Sequence, residues 1–240
     1  MIRITSVGAL VALGIAGGAS AQEGWDWQVA PYLWSAGIKG DVRLGAIERE
    51  VDIKFSDIAD KMAGAVLLHA EAHRGDRQAI FGDFIFMGLE PEDEVATVGG
   101  VTEAEFNTTI FEAGYLHGGG ERIGIEFGLR YWDFELVLDP ATLPEVERSS
   151  DWVDGFVGIR KERALGPNWT WQSRINIGAG GSDSAFGLQS TFARELSSGN
   201  SFIIGLKTLG INKEEESVGG IAYELDGIMF AGLTIGFLFD

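Results

Sequence analysis

The chain closes on Gly227-Ile228-Met229-Phe230-Ala231-Gly232-Leu233-Thr234-Ile235-Gly236-Phe237-Leu238-Phe239-Asp240, and the period of this stretch decides the fold. Met229, Ala231, Leu233, Ile235, Phe237 and Phe239 fall on one face; Ile228, Phe230, Gly232, Thr234, Gly236 and Leu238 fall on the other. Alternation of period two is the mark of a β-strand. One face is wholly apolar, while the other mixes small residues with large ones. In a soluble sandwich such a strand would be a long, greasy edge at risk of aggregation. In the wall of a transmembrane β-barrel its apolar face meets lipid and its mixed face lines the lumen.

The opposite end agrees with export. Arg3 precedes an apolar run from Val7 to Ile15, and Ala19-Ser20-Ala21 has the small-residue pattern of a secretory cleavage site. The run is too short for a membrane-spanning helix. Residues 1–21 are therefore expected to be a signal peptide cleaved after Ala21, and residues 22–240 an outer-membrane barrel domain. No later stretch approaches 18 consecutive apolar residues, so membrane insertion rests on strands, which satisfy their backbone in lipid only by closing. Gly is abundant (35) and Pro scarce (5), which suits closely spaced strands and tight turns. The absence of Cys excludes disulfides and thiolate chemistry. Eighteen basic against 36 acidic residues give −18, or −19 once Arg3 is removed, which excludes a nucleic-acid partner. Such a surface instead fits divalent cations held loosely among anionic lipids.

Turn signals divide the chain. Strand-like pieces run over 25–37, 63–74, 77–88, 104–116, 122–138, 151–160, 168–180, 185–196, 201–211 and 222–239. Short turns at Gly75-Asp76, Gly118-Gly119-Gly120, Leu165-Gly166-Pro167 and Ser197-Ser198-Gly199-Asn200 alternate mostly with longer links over 90–103, 139–150 and 212–221, the link near Gly181-Ser182-Asp183 being brief. The fold expected is all-β: a closed antiparallel barrel of about ten strands, with eight and twelve as the alternatives. The segment from Ile38 to Met62 holds an extended stretch (Ile47 to Phe55) and then a short helical turn near 56–62, with Ser56 as the N-cap. If the extended stretch joined the wall, the count would rise to twelve. Short turns lie in the periplasm in bacterial barrels, which puts both ends of the mature chain there.

Faces assigned by alternation give the candidate site. Glu71, Asp83, Glu112, Glu126, Arg130, Asp154, Arg160, Arg174 and Lys207 point to the lumen, where carboxylates and cations can pair. Asp154 and Glu112 are the expected partners of Arg130. Ile110, Trp132, Phe156 and Phe230 are large inward residues that fill a narrow lumen. His69, Glu71 and His73 share one strand face and include ligand types for a transition metal. The two imidazoles are about 13 Å apart along a regular strand at about 3.3 Å per residue, so one ion could not bridge them without a bulge. The expectation is a polar lumen wall, with no metal and no cofactor. Trp25, Trp27, Trp34, Trp132, Trp152, Trp169 and Trp171 fall toward strand ends, as interfacial aromatic girdles do. His69, His73 and His117 are the only histidines, and no Gly-x-Ser-x-Gly elbow occurs, which argues against an acyl-transfer enzyme.

Several motifs carry a resemblance. Pro31-Tyr32-Leu33-Trp34 with Gly37 and Gly40, then Phe55-Ser56-Asp57-Ile58, resemble the opening of an uncharacterised family of small Gram-negative outer-membrane β-barrel proteins. Gly128-Leu129-Arg130-Tyr131-Trp132 and Trp152-Val153-Asp154 with Gly158 and Arg160 resemble its middle strands, and Gly180-Gly181-Ser182-Asp183 with the final strand its end. Gly205-Leu206-Lys207 and the terminal Asp240 depart from its pattern. The resemblance implies location and fold but no activity. The function expected is a structural or surface-interaction barrel with a largely side-chain-filled lumen. The alternative is a narrow, porin-like channel for small solutes or ions, and a lipid-modifying enzyme ranks below both. Expected partners are outer-membrane lipid and lipopolysaccharide, with divalent cations at acidic segments such as Glu90-Pro91-Glu92-Asp93-Glu94 and Lys213-Glu214-Glu215-Glu216. No protein partner can be read from the sequence.

Overall fold

A computed structural model describes residues 24–44, 47–59, 62–89, 95–97, 100–119, 122–140, 146–218 and 221–240. The segment expected to be a signal peptide lies outside them. Thirteen strands occur among the described residues. They are β1 (Asp26–Trp34), β2 (Gly37–Leu44), β3 (Ile47–Ile53), β4 (Met62–Arg74), β5 (Gln78–Leu89), β6 (Val95–Thr97), β7 (Gly100–His117), β8 (Ile123–Pro140), β9 (Val146–Ala164), β10 (Trp169–Gly180), β11 (Ser184–Glu195), β12 (Ser201–Val218) and β13 (Ile221–Leu238). Ten form the wall in the order β1-β4-β5-β7-β8-β9-β10-β11-β12-β13, every pair antiparallel. The ring closes where Tyr32, Leu33 and Trp34 of β1 meet Gly236, Ile235 and Thr234 of β13, with a further bridge between Val29 and Phe239.

The decisive C-terminal stretch is thus the closing strand, and its two faces go where alternation sends them. Leu233, Ile235 and Phe237 are exposed on the outside, while Ile228, Phe230 and Thr234 are buried inside. The same pattern runs around the wall, with Phe127, Leu129, Val157, Ile177, Leu188 and Leu206 all exposed and outward. A continuous apolar belt of this kind far exceeds the patches that soluble monomers expose. With every wall strand paired, the fold is a closed transmembrane β-barrel.

The turns at 75–77, 165–168 and 196–200, the start of the β7–β8 turn at Gly118 and both described chain ends share one rim, here called the turn end; the other rim, with the brief 181–183 link, is the loop end. β7, β8, β12 and β13 have 18 residues each and β9 has 19, well beyond the 9–11 that cross a bilayer, so these strands project past the belt at the loop end. β12 extends to Val218, so Lys213-Glu214-Glu215-Glu216 is strand rather than loop. The acidic segment 90–94 lies outside the described residues.

The extended stretch 47–53 does not enter the ring. β2 continues β1 along the edge of β13, and β3 folds back on β2, Ile38 opposite Ile53 and Leu44 opposite Ile47. The wall keeps ten strands because this hairpin lies outside the closed circuit. Helix α1 (Phe55–Ala59) follows. The Asp57 and Ile58 N–H groups donate to the Lys54 carbonyl, so Lys54 caps the helix and Ser56 sits in its first turn, its hydroxyl on Asp57. Ile58 is the helix's buried residue and lies among Ile38, Met87, Leu89, Phe106 and Phe230.

Candidate functional site in the lumen

From the loop end inward, the lumen begins with an apolar layer. Trp34, Ile85, Ile110, Trp132, Trp152 and Phe230 form its buried core, with Phe134 packed against them. The ring of Phe134 stacks on Trp132 at 6.1 Å and on Phe230 at 6.1 Å, and tilts against Trp152 at 5.6 Å. Three of the seven tryptophans therefore point inward: Trp132 as its inward parity predicts, and Trp34 and Trp152 in correction of their assignment to interfacial girdles. Their distance from strand centres is real, but alternation places Trp34, Trp132 and Trp152 on the lumen side. Trp27 and Trp169 remain exposed at the turn end.

Asp154 belongs to this layer rather than to Arg130. Its carboxylate accepts from the Trp132 indole at 2.9 Å, the Trp152 indole at 3.3 Å, the Ser182 amide at 2.8 Å and the Ser182 hydroxyl at 2.9 Å. Asp154 and Arg130 are register partners. The four donors nevertheless hold the carboxylate toward the loop end, and no bond between the two is formed. The Gly180-Gly181-Ser182 turn, which reads as a plain connection, supplies half of these donors.

Below the apolar layer lies a charged belt. Arg130 donates through Nη2 to Glu112 (3.2 Å) and to Asn176 (2.8 Å). Arg174 donates through Nε to Glu126 (2.5 Å) and through Nη2 to Glu112 (3.1 Å). Arg160 Nη1 meets both Glu71 oxygens, at 2.7 and 2.6 Å, and its Nε lies 3.4 Å from Glu126. Lys207 Nζ bonds Asp83 and the Tyr32 hydroxyl, each at 2.8 Å. All eight charged side chains are buried. Of the residues expected to form the network, Glu71, Asp83, Glu112, Arg130, Arg160, Arg174 and Lys207 are brought together. Glu126 completes four carboxylates against four cations.

Like charges sit side by side on adjacent strands: Asp83 opposite Glu112, and Arg160 opposite Arg174. Cross-strand neighbours of one sign repel. Here each is compensated from across the lumen, because β4, β5 and β7 carry acids while β9, β10 and β12 carry the facing cations. Phe81 and Phe156 are the platforms between them: the Arg160 and Arg174 guanidinium carbons each lie 4.8 Å from the Phe81 centroid, and Arg130 lies 5.3 Å from Phe156. Both rings press against wall glycines. A Cβ on Gly114 would run into the Phe81 ring, and one on Gly128 would lie 2.7 Å from Phe156 Cζ. Phe156 is among the inward residues expected to fill the lumen, whereas Tyr32, Asn176 and Phe81 carry no such expectation. Their inward parity was the signal available.

The histidines lie at the turn-end side of the belt. His69 approaches Asp83 through Nδ1 (3.2 Å) and Glu71 through Nε2 (3.3 Å); His73 approaches the other Glu71 oxygen (3.1 Å). Both imidazoles are therefore spread along Glu71, and among the described residues no group of three or more ligand-type side chains converges on one point. Beyond them the lumen opens into a vestibule of about 510 Å³ at the turn end. Gln28, Glu162, Gln172, Gln189 and Thr191 line it together with His73.

No protein-family model matches this chain, and comparison with curated proteins gives no match. Among solved structures, it is similar to Ail, the attachment invasion locus protein of Yersinia pestis, at 10% identity, covering 89% of this chain and 98% of that one with a TM-score of 0.44. It is also similar to the translocator domain of autotransporter NalP from Neisseria meningitidis, at 12% identity, 89% and 88% coverage and a TM-score of 0.49. The beta domain of the Bordetella autotransporter Brka gives 11% identity, 89% and 98% coverage and a TM-score of 0.36. At these values the likeness is one of barrel architecture and says nothing of role.

Proposed function

We propose that the protein is a plugged, non-conducting β-barrel of the bacterial outer membrane, with the turn end in the periplasm and the loop end outside. The observation that carries this reading is the apolar layer, in which Trp132, Trp152 and Phe230 close on Phe134 above a charge-balanced belt. An aqueous path would have to cross both. The belt is structural: each of its carboxylates is paired with at least one of its cations, so the network of Glu71, Asp83, Glu112, Arg130, Arg160, Arg174 and Lys207 ties the two halves of the wall together. With Glu71 engaged by Arg160 and both histidines, the His69-Glu71-His73 strip serves the same end and carries out no catalysis.

The working surface is then the projecting loop end, where strands outlast the bilayer. Its partners are lipopolysaccharide and divalent cations at acidic segments such as 90–94, with membrane lipid around the belt. Residues 1–21 act as the export signal, cleaved after Ala21. Conductance in planar bilayers tests the central claim. The parent protein should be silent, whereas Trp132→Ala/Phe230→Ala should show discrete current steps. Steps from the parent would overturn the plugged reading in favour of a narrow channel.

A further inference from the structure

We propose that the turn-end vestibule is a binding site for a small neutral saccharide, up to disaccharide size. The charged side chains of the belt are paired with one another; in the vestibule a row of inward polar side chains faces open space instead. Glu162, Gln172 and Thr191 form a row on β9, β10 and β11, since Gln172 is the register partner of both Glu162 and Thr191. Adjacent strands place such side chains about 4.8 Å apart. Gln189 stands next to Thr191 on the same face of β11. None of these four side chains is held by a hydrogen bond from another described residue, and all four line the open space. His73 and Gln28 face them across the lumen, Gln28 donating to Asp240 through Nε2 at 2.8 Å.

The chemistry of the row selects the ligand. A carboxylate accepts, a carboxamide both donates and accepts, and a hydroxyl does both. A partner for all of them must itself donate and accept at closely spaced points, as sugar hydroxyls do. An apolar molecule would leave the row unpaired at a desolvation cost. An anion would find the lining cations Arg160 and Arg174 already engaged by Glu71, Glu112 and Glu126, and would meet Glu162, Glu195 and Asp240. A simple cation could take carboxylate, carboxamide and hydroxyl oxygens but would leave the N–H donors of Gln172 and Gln189 unmatched. The volume of about 510 Å³ is within the range of small-ligand pockets.

Isothermal titration of the whole protein in detergent micelles tests the site. The probes are maltose, for a free disaccharide, and N,N′-diacetylchitobiose, for the sugars of a cell-wall-type glycan. One of them should bind with 1:1 stoichiometry, and the one preferred identifies the source. Glu162→Leu and Gln172→Leu should each weaken that binding about tenfold, the equivalent of one hydrogen bond to a charged or well-placed polar group. Ser173→Ala, on the outer face of β10, should leave it unchanged. A variant that loses its heat-modifiable migration is replaced by Thr191→Val, which keeps the side-chain shape while removing the hydroxyl. The proposal is overturned if neither sugar binds, if these variants leave binding unchanged, or if inorganic phosphate or Mg²⁺ binds in preference to both sugars.

Discussion

Replacing Arg130 by Leu removes the most enclosed cation of the belt, a side chain with no exposed surface. The change deletes its bonds to Glu112 (3.2 Å) and Asn176 (2.8 Å) and its approach to the rings of Phe156 (5.3 Å) and Trp132 (5.6 Å). Breaking a buried ion pair from one side costs about 3–5 kcal/mol, because a charge is left without its partner. Glu112 is not wholly abandoned here, since Arg174 still reaches it at 3.1 Å. The loss should therefore fall at the low end, about 3 kcal/mol. Arg174→Leu should cost more, because it takes a bond from Glu126 as well as from Glu112. Restoring charge balance is the sharper control. In Arg130→Leu/Glu112→Leu the belt keeps three acids and three cations, and an apolar pair of similar volume can replace a buried ion pair at little net cost. The double variant should regain about 2 kcal/mol of the single loss. Reversible urea unfolding in lipid vesicles measures all three variants. The reasoning is refuted if Arg130→Leu is as stable as the parent, or if the double variant is no more stable than Arg130→Leu. A stable Arg130→Leu that instead acquires conductance would place Arg130 on a pathway.

Leu233→Arg, on the lipid face of β13, should cost about 2–4 kcal/mol, while Thr234→Arg, lining the vestibule, should cost less; equal losses in the same folding assay would mean the faces are misassigned. Gly128→Leu drives a side chain into Phe156 and the neighbouring backbone and should destabilise by about 1–3 kcal/mol or more, read as a lowered temperature for loss of heat-modifiable migration; an unchanged temperature would show that the platform is not packed. Protease added to intact cells should cut within 90–103 or 139–150 and spare Gly118-Gly119-Gly120; the reverse pattern would invert the proposed topology.

What a strand's own residues determine was legible without the fold. Leu233 and Thr234 differ in side because successive side chains of any strand point to opposite faces. The short turns set antiparallel neighbours, so the order of the wall and its ten strands followed from Gly118-Gly119-Gly120, Gly166-Pro167 and their equivalents. Inward parity gave nearly the whole charged belt for the same local reason. What parity cannot supply is height and opposition. Position toward strand ends suggests interfacial girdles for Trp34 and Trp152, but distance from a strand's centre says nothing about which way a ring points; for Trp132 parity alone already indicates the lumen. Asp154 stands beside Arg130 in register yet bonds two indoles and Ser182, because the Gly180-Gly181-Ser182 turn folds over it. Arg160 meets Glu71 from 89 residues away, and Lys207 meets Asp83 from 124. Those partnerships depend on which strands come to lie across the lumen once β1 pairs with β13. Closure is a property of the whole ring, and only the tertiary structure decides it.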